Sequence, residues 1–216
     1  MNRFMCGIVL AGLFAVCGQA QAATVGLLNF TGGGLTSNVD ANLGWQFQVT
    51  APITVSHLGY FDREADGLIG SHQVGLWLND GTLLAQTTVQ AGTASAIIGP
   101  TNDPGGSREG AFRYEPIAPV TLLPGTDYVI AGKITAAADA PFFSTAATFD
   151  PQVQFINGRF GGSPTFGFPT ALFSNTGGYF GPNFAGNVDA IIPEPATASL
   201  GLLSVVGLML RRRRVA

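Results

Sequence analysis

The chain has 216 residues, a formal charge of −3, and only 11% charged residues. Its two cysteines, Cys6 and Cys17, sit near the start, so beyond them there is no disulfide, thiol nucleophile or thiolate metal ligand. Residues 23–192 carry nine Asp and three Glu against four Arg and one Lys; that acidic balance repels phosphate backbones and argues against nucleic-acid binding.

Met1-Asn2-Arg3 is a short basic opening, and Met5 to Val16 is an apolar run of leader length. Ala20-Gln21-Ala22 supplies the small-x-small pattern for cleavage before Ala23, with Ala20 and Ala22 as the cleavage residues. Residues 1–22 therefore read as a signal peptide that directs the chain to the Sec export machinery. The competing reading is a lipoprotein leader with Cys17 lipidated, against which the bulky Val16 speaks.

From 23 to 190 the apolar residues recur with period two, and long Leu/Glu/Lys runs of helical spacing are missing. Leu43, Trp45, Phe47 and Val49 alternate with Gly and Gln. Ile53 and Val55, then Leu58 and Tyr60, predict a second strand with an irregularity near His57. Val74, Leu76 and Leu78 precede Asn79-Asp80-Gly81, a hairpin turn, and Leu83 to Val89 return. A Gly/Pro/Asp-rich loop spans Gly99 to Gly110, followed by Phe112, Tyr114, Val120 and Leu122, a turn at Leu123–Asp127, and a strand from Tyr128 to Ile134. Ten of the fourteen phenylalanines outside the leader lie between 142 and 184, broken up by Gly and Pro. That concentration reads as core filling on loops and short strands, ending in a last strand near Phe180–Val188. Stacking on sugar rings is the alternative use of such rings. The fold class expected is all-β, an antiparallel β-sandwich or jelly-roll-like body, with an N-terminal signal peptide and a short C-terminal transmembrane helix.

Chemistry-bearing residues are few. Asp62, Glu64 and Asp66, followed by Gly67, copy the first half of a calcium loop, but position twelve is Gln73 where a bidentate Glu is needed. The expectation is a solvated turn; a Ca2+ site completed by backbone carbonyls is the alternative. His57 and His72 with Asp62 or Asp66 form a second candidate, weighed against ordinary packing roles. No GxSxG is present, and Glu64, Glu109 and Glu115 are the only glutamates of the body that paired-carboxylate chemistry could draw on. An enzyme is not expected.

Residues 191–216 form a tail in three parts: Pro193-Glu194-Pro195, fifteen uncharged residues from 196 to 210, and Arg211, Arg212, Arg213 and Arg214. As a helix the middle part spans about 22 Å against a hydrocarbon core of about 30 Å, while the arginines belong on the cytoplasmic side. This order of export leader, Pro-Glu-Pro mark, apolar stub and basic end resembles the PEP-CTERM sorting signal of Gram-negative bacteria. The resemblance implies that the tail holds the chain in the inner membrane until an exosortase, a membrane-bound cysteine transpeptidase, cuts near the Pro-Glu-Pro element. The alternative is a permanent single-span anchor. The stretches GWQFQVTAPITVSHLGYFD, DGLIGSHQVGLWLNDGTLLA, FRYEPI and LLPGTDYVIA also look like an uncharacterised extracellular β-domain found in such proteins. Together these resemblances imply an exported structural or adhesive protein of the cell surface or biofilm matrix, with exopolysaccharide as a partner. A calcium-dependent carbohydrate-binding module and a secreted glycan-active enzyme are the alternatives.

Overall fold

The computed structural model describes residues 23–36, 40–134 and 139–186; the signal peptide, the Pro-Glu-Pro element, the apolar stub and the arginine cluster lie outside them. All regular elements among the described residues are β-strands. In chain order they are β1 (Thr24–Val25), β2 (Leu27–Thr31), β3 (Gly34–Leu35), β4 (Ala41–Val49), β5 (Ile53–Arg63), β6 (His72–Leu78), β7 (Leu83–Val89), β8 (Ala96–Ile97), β9 (Gly110–Leu122), β10 (Tyr128–Ile134), β11 (Phe142–Ser144), β12 (Ala146–Phe149), β13 (Val153–Gly162), β14 (Ala171–Ser174), β15 (Gly178–Phe180) and β16 (Pro182–Gly186). They form a five-stranded sheet of order β1-β16-β5-β9-β8, a six-stranded sheet of order β14-β13-β4-β10-β6-β7, and two small sheets, β15-β11-β3 and β12-β2. Every pairing is antiparallel.

Period-two side-chain geometry turns Leu43, Trp45, Phe47 and Val49 of β4 to one face, where they join Val74, Leu76, Tyr128 and Ile130 in the core. The five-stranded sheet meets them there. Phe184 of β16 stacks on Phe47 at 5.0 Å and on Trp45 at 6.1 Å, and the Trp45 indole N–H donates to the Pro182 carbonyl at 3.0 Å. The other face of the five-stranded sheet is covered too. Phe61, one residue on from the inward Tyr60, packs with Phe30 and Phe112 at ring distances of 4.9 and 5.2 Å. Burying each such side chain is worth about 1.5–3 kcal/mol, which accounts for a body without disulfides.

The irregularity at His57 is a bulge: Val55 faces Val120 and His57 faces Pro116, so Ser56 stands opposite three residues. The bulge falls beside the two prolines of β9, Pro116 and Pro119, residues that sheets accommodate at such irregularities. The Asn79–Gly81 turn joins β6 to β7 as expected, with the Gly81 N–H donating to Leu78 O at 3.0 Å and Gly81 at φ +93°. The loop from Gly99 to Gly110 is anchored through a buried side chain. Asn102 accepts from Phe30 N–H at 2.8 Å and donates to Phe30 O and Arg108 O at 3.1 and 2.7 Å. It thus satisfies the backbone of β2 as a neighbouring strand would.

Candidate functional site

Register gives the body two poles. Thr24 of β1 pairs with Gly186 of β16, and Gly186 pairs with Val55 near the start of β5, so both ends of the described body emerge together. The other end of β5, at Arg63, lies about 26 Å away along the strand. There a cavity of about 440 Å3 opens, with Phe61, Leu35 and Ile69 as its apolar wall and Glu64, Asp66 and Asp139 as its carboxylates. Its volume falls in the range of small-molecule sites, about 300–1,000 Å3.

Most of the residues singled out in the sequence come to this pole, but not as expected. Asp62 is buried in β5 and faces Arg113 of β9, with Nε to Oδ2 at 2.6 Å. Arg113 also donates to the carbonyls of Ala65, Thr93 and Ser95, and the Gly67 N–H donates to the Asp62 carboxylate at 3.0 Å. Burial pushes the Asp62 carboxyl up, with Arg113 and the Gly67 N–H offsetting part of that rise. The chain then turns through Glu64 and Ala65, both in the left-handed region at φ 65° and 57°, leaving Glu64 exposed beside Arg63 at 3.5 Å. The Ca2+ ligand set drawn from Asp62, Glu64 and Asp66 is therefore not formed. Among the described residues no group of three or more His, Cys, Asp or Glu is placed to hold a metal ion. The physical reason is that Asp62, on the strand, is committed to a guanidinium, while Glu64 turns out to solvent.

The two histidines do not form a pair. His57 sits at the bulge with Nδ1 2.9 Å from Ser56 Oγ, its basicity lowered by burial and partly restored by Glu115. His72 is buried at the start of β6 with its ring stacked on Tyr60 at 3.9 Å. Its Nε2 lies 2.9 Å from Asp139 Oδ2 and its Nδ1 3.3 Å from Lys133 O. Both partners are acceptors, so each ring nitrogen bonds its partner only as a donor. Burial raises the Asp139 carboxyl, but the His72 bond and the N–H groups of Gly70 and Ile69 outweigh it and hold the group below its ordinary value. Sequence reasoning missed Asp139 and Arg113, the real partners of His72 and Asp62. For Arg113 a signal exists: a lone cation amid Ala111, Phe112 and Tyr114 must find a counter-charge inside. Glu115 accepts from Ser95 Oγ at 2.5 Å, and Glu109 accepts from the Gly105 N–H at 3.2 Å, so each closes a loop.

The domain of unknown function DUF4082 matches residues 34–181. The chain belongs to this family. The DUF4082 region thus extends beyond the strands between Leu43 and Ile134 and takes in the phenylalanine-rich segment up to the start of β16, cavity included. No curated protein matches the sequence.

Proposed function

We propose that this DUF4082 chain is an exported protein of the cell surface or extracellular matrix, structural or adhesive in role. On this reading it crosses the inner membrane through the Sec machinery, is held there by the tail, and is released by an exosortase acting at Pro193-Glu194-Pro195. The body is then an antiparallel β-sandwich of jelly-roll-like kind, carried as cargo between two removable ends.

The observation that carries the proposal is the pairing of Thr24 with Gly186. A cut between Ala22 and Ala23 leaves every strand among the described residues intact. The seven steps from Gly186 to Pro193 span at most about 25 Å, and a cut near Pro193 falls beyond the last described strand, so it spares the body as well. The cavity at Arg63 lies at the other end of β5 from the strand position that pairs with Gly186.

The test is intact-mass analysis and fractionation of the chain from its native host. The expected mature form begins at Ala23, ends near Pro193 and appears at the surface or in the medium. Replacing Glu194 with Ala should shift it to an inner-membrane form that keeps its arginines. Full-length chain as the stable inner-membrane form in a host with a working exosortase would overturn the proposal.

A further inference from the structure

The outward face of the six-stranded sheet is not a plain solvated surface. The pleat turns Asn42, Gln46 and Gln48 of β4 to this side, with Arg159 of β13 opposite Gly44. Trp77 of β6 also lies here and yet is only 3% exposed, because a strap over residues 163–170 covers it. The Asn42 side chain fixes the strap, donating to Thr165 O at 2.9 Å and accepting from Gly167 N–H at 3.2 Å. Half-buried Phe166 and Phe168 then sit 5.5 and 6.2 Å from the Trp77 ring.

Beside these rings runs a network of planar polar groups. Asp127 accepts from the Gln46 amide at 2.7 Å and from the Gln48 amide at 2.5 Å. Gln46 Oε1 accepts from Arg159 Nη2 at 2.8 Å, and the same nitrogen donates to Asn79 Oδ1. The guanidinium lies 5.8 Å from the Phe168 ring centroid. The network is incomplete. Arg159 is 5% exposed, its buried Nε–H has no partner among the described residues, and no carboxylate there lies within ion-pair distance of it. Each carboxylate oxygen of Asp127 accepts one side-chain bond and has room for a second. The Nε–H is shut off from solvent, so an incoming group meets the network at half-buried Asp127 and Gln48 and at exposed Asn79.

The chemistry of that group follows by exclusion. An anion would meet Asp127 and the acidic body, while a cation would meet Arg159. A hydroxyl both accepts and donates, and adjacent hydroxyls on a ring can serve Asp127, Gln48 and Asn79 together. The apolar C–H face of such a ring suits Phe168. We propose that this face binds a neutral hexose unit of a polysaccharide, with Phe168 against the sugar ring and Asp127, Gln48 and Asn79 bonding its hydroxyls. This rests on the reading of an exported adhesive body and names the face through which it would adhere.

Trp77 makes the site optically visible, while Trp45, fully buried between the sheets, contributes a constant background. The full chain in mild detergent is titrated with maltotetraose, cellotetraose, mannotetraose and, as an acidic probe, tetragalacturonate. A saturable change in tryptophan emission is expected with at least one neutral sugar. The apparent affinity should fall about ten-fold or more in Asp127→Asn, the loss of a bond to a charged group, and should also fall in Phe168→Ala and in the half-exposed Gln48→Ala, whose melting curve serves as a folding control. Asp66→Asn, at the cavity, should bind as the parent does. A response absent with every neutral sugar, limited to the acidic probe, or unaltered in all three variants would overturn the site. Loss of binding in a chain still sorted to the surface would leave the export route standing.

Discussion

Residues 41–134 and residues 142–186 fill the same core by different means. The first stretch presents alternating aliphatic and aromatic side chains, such as Leu43, Val74, Leu76 and Ile130, each one of many similar contributors. The second relies mainly on rings: beside Val153 and Ala185, its buried hydrophobics are Phe142, Tyr179, Phe180 and Phe184, packed close to glycines. A Cβ at Gly158 would lie 2.6 Å from the Gly177 carbonyl oxygen, and one at Gly178 would lie 2.9 Å from the Phe180 ring. Stability should therefore be spread evenly over the first stretch and concentrated at Phe142, Phe180 and Phe184 in the second.

The sharpest way to break this contrast is Phe184→Ala beside Ile130→Val. Phe184 is fully buried against Trp45 and Phe47, and its truncation should cost about 3–5 kcal/mol. Ile130, equally buried on β10, should lose about 0.5–1.5 kcal/mol as Val. Denaturant midpoints measured at constant m would decide it. Comparable losses in the two variants would mean that the rings are not the concentrated contributors proposed.

The junction between the stretches offers the next effect. Asp139 ties the start of the second stretch to β6 through His72 and the Gly70 N–H at 2.9 Å. Removing a hydrogen bond to a charged group costs about 1.5–3 kcal/mol, so Asp139→Asn should destabilise by that order. The sign of the pH dependence is set by the direction of the shift. The folded carboxyl titrates below its ordinary value, so its contribution is complete above the unfolded value, about 3.9, and disappears as pH falls through the folded one. Melting temperatures of parent and variant should converge on acidification. A gap that stays constant from neutral pH down to pH 3 or so would contradict the Asp139 contact.

What could be read in advance follows the same division. Period-two alternation and turn chemistry marked β4, β5, β6, β7 and β10 and even the bulge at His57, because each signal is local. The pairing of β13 with β4 was not legible. Ile156 bulges out between Phe155 and Asn157, and Gly158, Gly161 and Gly162 interrupt the apolar pattern, so the strand resembles a loop until β4 supplies its ladder. The cavity was half legible: Asp62, Glu64 and Asp66 pointed to the right pole. Their chemistry went elsewhere, since Asp62 pairs with Arg113 and His72 with Asp139, 51 and 67 residues away, and only the folded sheet brings these groups together.

The smallest effect concerns a ring that the concentration of Phe makes easy to misread. Phe173 lies in the same aromatic segment as Phe184 but on the edge strand β14, 52% exposed. Its ring meets Phe143 at 5.1 Å and Tyr179 at 5.0 Å, contacts worth about 0.5–1.5 kcal/mol in a fully packed setting and less where water reaches one face. Phe173→Ala should accordingly cost under about 1 kcal/mol. Its clearer signature is on Tyr179, whose phenol is pushed above its ordinary value by burial. Stripping away the covering ring lets water in, so the Tyr179 hydroxyl should ionise nearer the ordinary tyrosine value. An ultraviolet titration of parent and variant measures that displacement, and an unchanged tyrosine curve would mean that Phe173 does not shield the phenol.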